Sequence, residues 1–162
     1  MNYVISLILL LLFAIPLPVG AAHTKAEGDV LEGIKEIGMI VSVLSPDMEF
    51  TADDVTRYVN AKLTSNIPLI HITSLSYPYL DVNVQCTGEI EKNRSCYLEI
   101  EIRRLVYLPD KETLIAATVW NKGRLVQGDI TFSAVKAQLD ILLNIFARDY
   151  VKAMKTHERE VY

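Results

Sequence analysis

The sequence predicts an α+β fold. Two helices pack on one face of a mostly antiparallel sheet of about five strands, in two layers and in the order β-α-β-β-β-β-α. Three observations predict it. Leu80, Val82, Val84 and Cys86 alternate with Asp81, Asn83 and Gln85. Cys96, Leu98, Ile100 and Ile102 alternate in the same way with Tyr97, Glu99, Glu101 and Arg103. A period of two with a single apolar face is the pattern of a half-buried antiparallel sheet. Third, Val135, Leu139, Leu142, Leu143, Phe146, Tyr150 and Met154 recur at helical spacing, with Ile141 and Ile145 widening the stripe.

Taken in order, residues 1–22 read as a cleaved secretory leader. Val4 to Ile15 is apolar, and Val19-Gly20-Ala21-Ala22 supplies the small residues of a cleavage site. An uncleaved anchor would need roughly 20 apolar residues, a length reached only by counting Pro16, Pro18 and Gly20. The expectation is therefore export to the periplasm or the medium, with no stable membrane anchor after cleavage. No cysteine follows the small cluster to carry a lipid. Residues 23–30 read as a flexible leader, 31–154 as one domain, and 155–162 as a charged, frayed tail.

Ile34 to Leu44 is an apolar, β-branched run that reads as the first strand, closed by the turn residues Ser45-Pro46-Asp47. Thr51 can cap a helix whose first turn holds Asp53 and Asp54, with Val55, Tyr58, Val59 and Leu63 on one stripe. Asn66 closes it, and Pro68 prevents its continuation. Pro68 to Leu75 reads as the second strand. The third and fourth are the alternating segments, joined through Thr87 to Ser95. Thr113 to Trp120 reads as the fifth, ending in a turn at Asn121-Lys122-Gly123. The closing helix spans about Phe132 to Met154.

Cys86 and Cys96 both fall on the apolar face of their strands. Setting them opposite each other also sets Val84 against Leu98, Val82 against Ile100 and Leu80 against Ile102. Directly opposed residues lie within disulfide reach, and an oxidising compartment favours the bridge. The polar face objects, because this register places Asp81 opposite Glu101, with Arg103 diagonally near. A slip of two residues would bring Asp81 to Arg103, but a surface charge pair is worth only about 0–1 kcal/mol, so the bridge decides. Two reduced, buried thiols are the alternative.

The formal net charge of −4 gives no footprint for nucleic acid, and no basic run suits an anionic membrane. No HExxH, Cys/His cluster, GxSxG, phosphate loop or dinucleotide fingerprint is present, so neither a cofactor, a metal nor an enzyme activity is expected. His71, inside a strand, reads as an ordinary sheet residue. Glu99 and Glu101 share a face but read as solvated glutamates rather than as a glycosidase pair. Asn93-Arg94-Ser95 matches a glycosylation sequon placed at a hairpin tip.

The surface of most interest is the sheet's polar face. Tyr79, Tyr97, Glu101, Arg103 and Trp120 are the expected binding residues there, since aromatics beside an arginine suit protein contacts. An ordinary solvated face is the plainer reading. The expectation is an accessory protein that binds another macromolecule. The alternative is a carrier of a small apolar ligand, with a cavity between the last helix and the sheet. A homodimer through the last helix's stripe stays open.

The element order, carried by Ile37 to Leu44, the helix leading into Leu63-Thr64-Ser65-Asn66-Ile67-Pro68-Leu69, and the terminal helix, resembles the N-terminal domain of TolB and the related CsgG and LpoB lipoproteins of the bacterial envelope. The resemblance implies a non-catalytic envelope protein working through a protein partner. The lipobox cysteine of its lipoprotein members is absent here.

Overall fold

The computed structural model describes residues 29–44, 49–74, 76–89 and 92–160. The leader 1–22, residues 23–28 and the turn at Ser45-Pro46-Asp47 lie outside them. The chain runs β1 (Glu36–Leu44), α1 (Ala52–Asn66), β2 (His71–Thr73), β3 (Tyr79–Glu89), β4 (Lys92–Leu108), β5 (Thr113–Gln127) and α2 (Phe132–Glu160). This is the expected α+β order. The five strands lie side by side as β2-β1-β3-β4-β5. β3, β4 and β5 form an antiparallel meander that holds most of the paired residues. β1 runs parallel to both β2 and β3, so the sheet is mixed. The parallel pairing with β2 follows from α1, which carries the chain from one end of β1 back to the other.

The β3–β4 register is the one expected from the apolar alternation and the opposed cysteines. Cys86 pairs with Cys96, Val84 with Leu98, Val82 with Ile100 and Leu80 with Ile102. The two cysteines form a disulfide. The ladder runs further than expected, however. Instead of a loop over Thr87 to Ser95, Thr87 pairs with Ser95 and Glu89 with Lys92, across a bulge. Asn93-Arg94-Ser95 therefore falls within β4 rather than at a tip.

α1 begins with a reciprocal cap. The Asp54 backbone N–H donates to Thr51 Oγ1 at 3.3 Å, and the Thr51 N–H donates to Asp54 Oδ2 at 2.9 Å. Val55, Val59 and Leu63 face the core. Tyr58 turns to α2, where its hydroxyl donates to Asp140 at 2.5 Å, while Lys62 reaches the same carboxylate at 3.0 Å. Phe50 stacks on Phe132 with ring centroids 5.1 Å apart.

α2 has 29 residues, about 44 Å at 1.5 Å per residue. It continues to Glu160, through most of the segment expected to be a frayed tail. Its buried stripe is Val135, Leu139, Leu142, Leu143, Phe146, Tyr150 and Ala153, facing Leu98, Ile100 and Ile102 of the sheet. Ile145 is partly buried, but Ile141 is exposed, so the stripe is narrower than its composition suggested. The Tyr150 hydroxyl donates to the Ile34 carbonyl at 2.7 Å, tying α2 to the segment before β1. That segment opens with a 3-10 turn at Asp29–Leu31. Val30, assigned to the flexible leader by sequence, packs against the core and its carbonyl accepts from Arg104 at 2.9 Å.

Two glycines allow close approaches. The chain between β2 and β3 crosses over β1, and the Gly38 N–H donates to Ser76 O at 3.0 Å and Pro78 O at 2.9 Å. A side chain on Gly38 would collide with that carbonyl and with the Tyr79 ring. The second is Gly123. Asn121-Lys122-Gly123 is not a turn, because β5 runs straight through it to Gln127. Gly123 pairs with Glu99, and the Tyr97 ring lies where its side chain would be. Covering a strand glycine with an aromatic ring keeps the strand in register.

Burial sets the energetic order. Truncating Leu142 to alanine is expected to destabilise the fold by about 2–5 kcal/mol, and truncating exposed Ile141 by about 1 kcal/mol or less. Chemical denaturation of the two variants checks this. Reducing the Cys86–Cys96 bridge, which closes a loop of 10 residues, should cost about 3 kcal/mol on the same measurement.

Candidate functional site

The sheet has one face under the helices and one face without them. On the outer face the side chains form rows across the strands. Ile40, Asp81, Glu101 and Asn121 make one row, and Gly38, Tyr79, Arg103 and Thr118 the next. Ser42, Asn83, Glu99 and Gly123 follow, then Leu44, Gln85, Tyr97 and Leu125.

The centre is polar and tied together. Arg103 Nε donates to Glu101 Oε2 at 3.0 Å, and its other nitrogen lies 3.4 Å from Asp81 Oδ2. Thr118 donates to the same Glu101 oxygen at 3.0 Å. Tyr97 and Asn121 both donate to Glu99 Oε1, at 3.3 and 3.4 Å. Each glutamate is thus held by separate donors. Asp81 is the strained member of the group. It is only 7% exposed, and among the described residues its Oδ1 has no hydrogen-bond partner. Burial pushes its carboxyl above the ordinary range; the Arg103 charge opposes that, and Glu101 directly opposite adds to it. Burial and Glu99 likewise raise the Tyr97 hydroxyl.

Large apolar side chains surround this centre. Tyr97 is 41% exposed and Leu125 is exposed beside it, with Leu44 on β1. Towards the β4–β5 turn, Leu105, Tyr107 and Leu114 are exposed, and Tyr107 pairs with Leu114. Tyr77 meets Tyr79 edge to face at 4.5 Å. Apolar side chains clustered on one uncovered face mark an interaction surface more often than scattered ones do.

Four of the five expected binding residues, Tyr79, Tyr97, Glu101 and Arg103, lie on this face. Trp120 does not. Ile102 pairs with Trp120 but Arg103 pairs with Thr118, so Val119 is an extra residue in β5. An extra residue reverses the facing of everything beyond it. Thr118 stays outside, whereas Trp120 turns under α2. It is 3% exposed, packs edge-on against Phe146 at 5.4 Å, and its indole N–H donates to Asp149 at 3.2 Å. It is a core residue.

His71 stands exposed at the start of the short edge strand β2, opposite Glu36. No group of acidic, histidine or cysteine side chains among the described residues has the geometry of a metal site. Sequence reasoning missed Leu105, Tyr107, Leu114 and Leu125. The alternation of Leu105 and Tyr107 beyond Arg103 was the available signal for the first two.

No protein-family model matches the chain, and no curated protein matches it in sequence. Among solved structures it is similar to rare lipoprotein B from Shewanella oneidensis, at 15% identity over 78% of this chain and 98% of that one, with a TM-score of 0.26. It is also similar to a minor lipoprotein from Acinetobacter baumannii, at 12% identity over 78% of this chain and 95% of that one, with a TM-score of 0.28. Superpositions this loose carry no argument about shared ancestry or role.

The electrostatics of Asp81 generate a signed expectation. A carboxyl whose folded pKa is raised binds its proton more tightly folded than unfolded, so its contribution to stability falls as pH rises through that pKa. Asp81→Asn removes the buried charge and its repulsion with Glu101. Its melting temperature should equal or exceed the parent's at neutral pH. That margin should vanish as the pH falls to about 4, the ordinary carboxylate value. A loss of several degrees at neutral pH would show instead that Asp81 stabilises Arg103 more than it suffers from burial.

Proposed function

We propose that this chain is a non-catalytic, exported accessory protein that binds another macromolecule through the outer face of its sheet. The observation that carries the reading is the composition of that face: exposed Tyr97, Leu105, Tyr107, Leu114 and Leu125 around a polar centre containing Arg103. An apolar surface with a polar, charge-satisfied patch fits a protein partner better than a small solute, which would need a concave site. Glu101 and Glu99 of the centre are engaged by Arg103, Thr118, Tyr97 and Asn121, which argues against acid–base chemistry by that pair. Export is supported by the apolar leader and by the Cys86–Cys96 disulfide, which an oxidising compartment maintains. A carrier of a small apolar ligand has no comparable observation in its favour.

Site-specific photo-cross-linking in the native host tests the reading. A cross-linker at Leu105, Leu125 or Tyr97 should give one discrete adduct, and one at Asn60, exposed on α1, should give none. Tyr97→Ala combined with Tyr107→Ala should lower the yield from Leu125 at least about tenfold, as loss of central aromatic contacts does. Equal adducts from both faces would refute it.

A further inference from the structure

Resting on the outer-face reading above, we propose that the protein partner of that face presents an arginine, which stacks on the ring of Tyr97 and pairs with the carboxylate of Glu99. Tyr97 is held from two sides. Its ring lies where a side chain on Gly123 would be, and its hydroxyl donates to Glu99 Oε1 at 3.3 Å. It is nonetheless 41% exposed. An aromatic ring fixed on a sheet and open to water, with a carboxylate at its hydroxyl edge, is a seat for a cation that can also stack.

The charges around the ring are unbalanced. Asp81, Glu101 and Glu99 stand in two adjoining rows at the centre of the face, with Arg103 beside them. Arg103 is committed to the other two carboxylates: its Nε donates to Glu101 at 3.0 Å, and its other nitrogen lies 3.4 Å from Asp81. The donors that meet Glu99 are Tyr97 and Asn121, both neutral and both on Oε1 rather than Oε2. Neutral donors satisfy lone pairs but leave the charge in place. Asp81 marks the same deficit independently. It is 7% exposed, yet among the described residues its Oδ1 has no hydrogen-bond partner. A second positive charge over these rows relieves a buried carboxylate that Arg103 serves through one oxygen. The border of the site says what carries that charge. Leu44 and Leu125 are exposed in the row of Tyr97, and Leu105 and Tyr107 are exposed beyond Arg103. A protein segment covers such a border, whereas a free amine does not. Among basic side chains, arginine lies flat on a ring while its fork reaches a carboxylate at the edge, and it is more weakly hydrated than lysine.

Photo-cross-linking in the native host from Leu125, which pairs with Tyr97, tests this. The adduct yield should fall at least about tenfold in Glu99→Gln, and stay within about threefold of the parent in Tyr97→Phe, which keeps the ring. Glutamine keeps an acceptor for Tyr97 and Asn121 and removes a negative charge. The melting temperature of Glu99→Gln should therefore equal or exceed the parent's, which a purely structural role for Glu99 would not allow. The partner peptide in the adduct should contain an arginine. Changing that arginine to glutamate should abolish the adduct, and adding Glu99→Arg should restore it. An adduct kept at the parent's yield in Glu99→Gln, or a partner peptide without arginine, overturns the proposal and leaves the outer-face reading standing. A yield lost together with several degrees of melting temperature also overturns it, because Glu99 then acts on the fold. No adduct from Leu125, or equal adducts from Leu125 and Asn60, removes both.

Discussion

The pairing of β3 with β4 is the constraint on which everything else rests. Leu80, Val82 and Val84 meet Ile102, Ile100 and Leu98, and all six side chains are buried. Slipping either strand by one residue would turn its apolar set to water. Burying one such side chain is worth about 1.5–3 kcal/mol, several times the 1 kcal/mol or less of a cross-strand charge pair. A slip of two residues would keep the apolar faces together and bring Asp81 to Arg103, so it is the Cys86–Cys96 bridge that holds Asp81 opposite Glu101. Arg103 then sits where it can reach both carboxylates and limits the repulsion.

From that register follow a dry face and a wet one. α2 lies on the dry face and gains two polar tethers, Tyr150 to the Ile34 carbonyl and Asp149 to the Trp120 indole. Asp140 joins the helices to each other. Burial alone would raise its pKa, but hydrogen bonds from Tyr58 and Lys62 and the nearby positive charges outweigh burial and lower it. A lowered carboxylate stabilises the fold above its unfolded pKa and ceases to do so as the pH falls through the folded value. Asp81 on the wet face has the opposite sign. The two groups therefore act against each other during acidification.

How far the fold was legible can be read from particular residues. The β3–β4 register followed from alternation, which excludes a slip of one residue, together with the opposed Cys86 and Cys96, which exclude a slip of two. The cap at Thr51, the end of α1 at Asn66 and the stripe of α2 followed from equally local rules. What escaped depends on contacts between distant segments. Gly123 looks like a turn residue until Tyr97 is placed over it. The parallel placement of β1 between β2 and β3 has no local signature. Trp120 was misplaced because one extra residue, Val119, changes its face, and nothing in the composition of β5 announces a bulge. The candidate site was legible where it rests on β3 and β4, and illegible where it rests on β5.

The chain's single tryptophan gives the most direct test. Trp120 lies under α2 only if the sheet has the register and the bulge described, and otherwise it faces water. Its fluorescence in the native protein should be blue-shifted and resistant to quenching by acrylamide, with a red shift and full quenching on unfolding. Native emission at the wavelength of free tryptophan, quenched as readily as the unfolded chain, would contradict the assignment of the sheet's two faces.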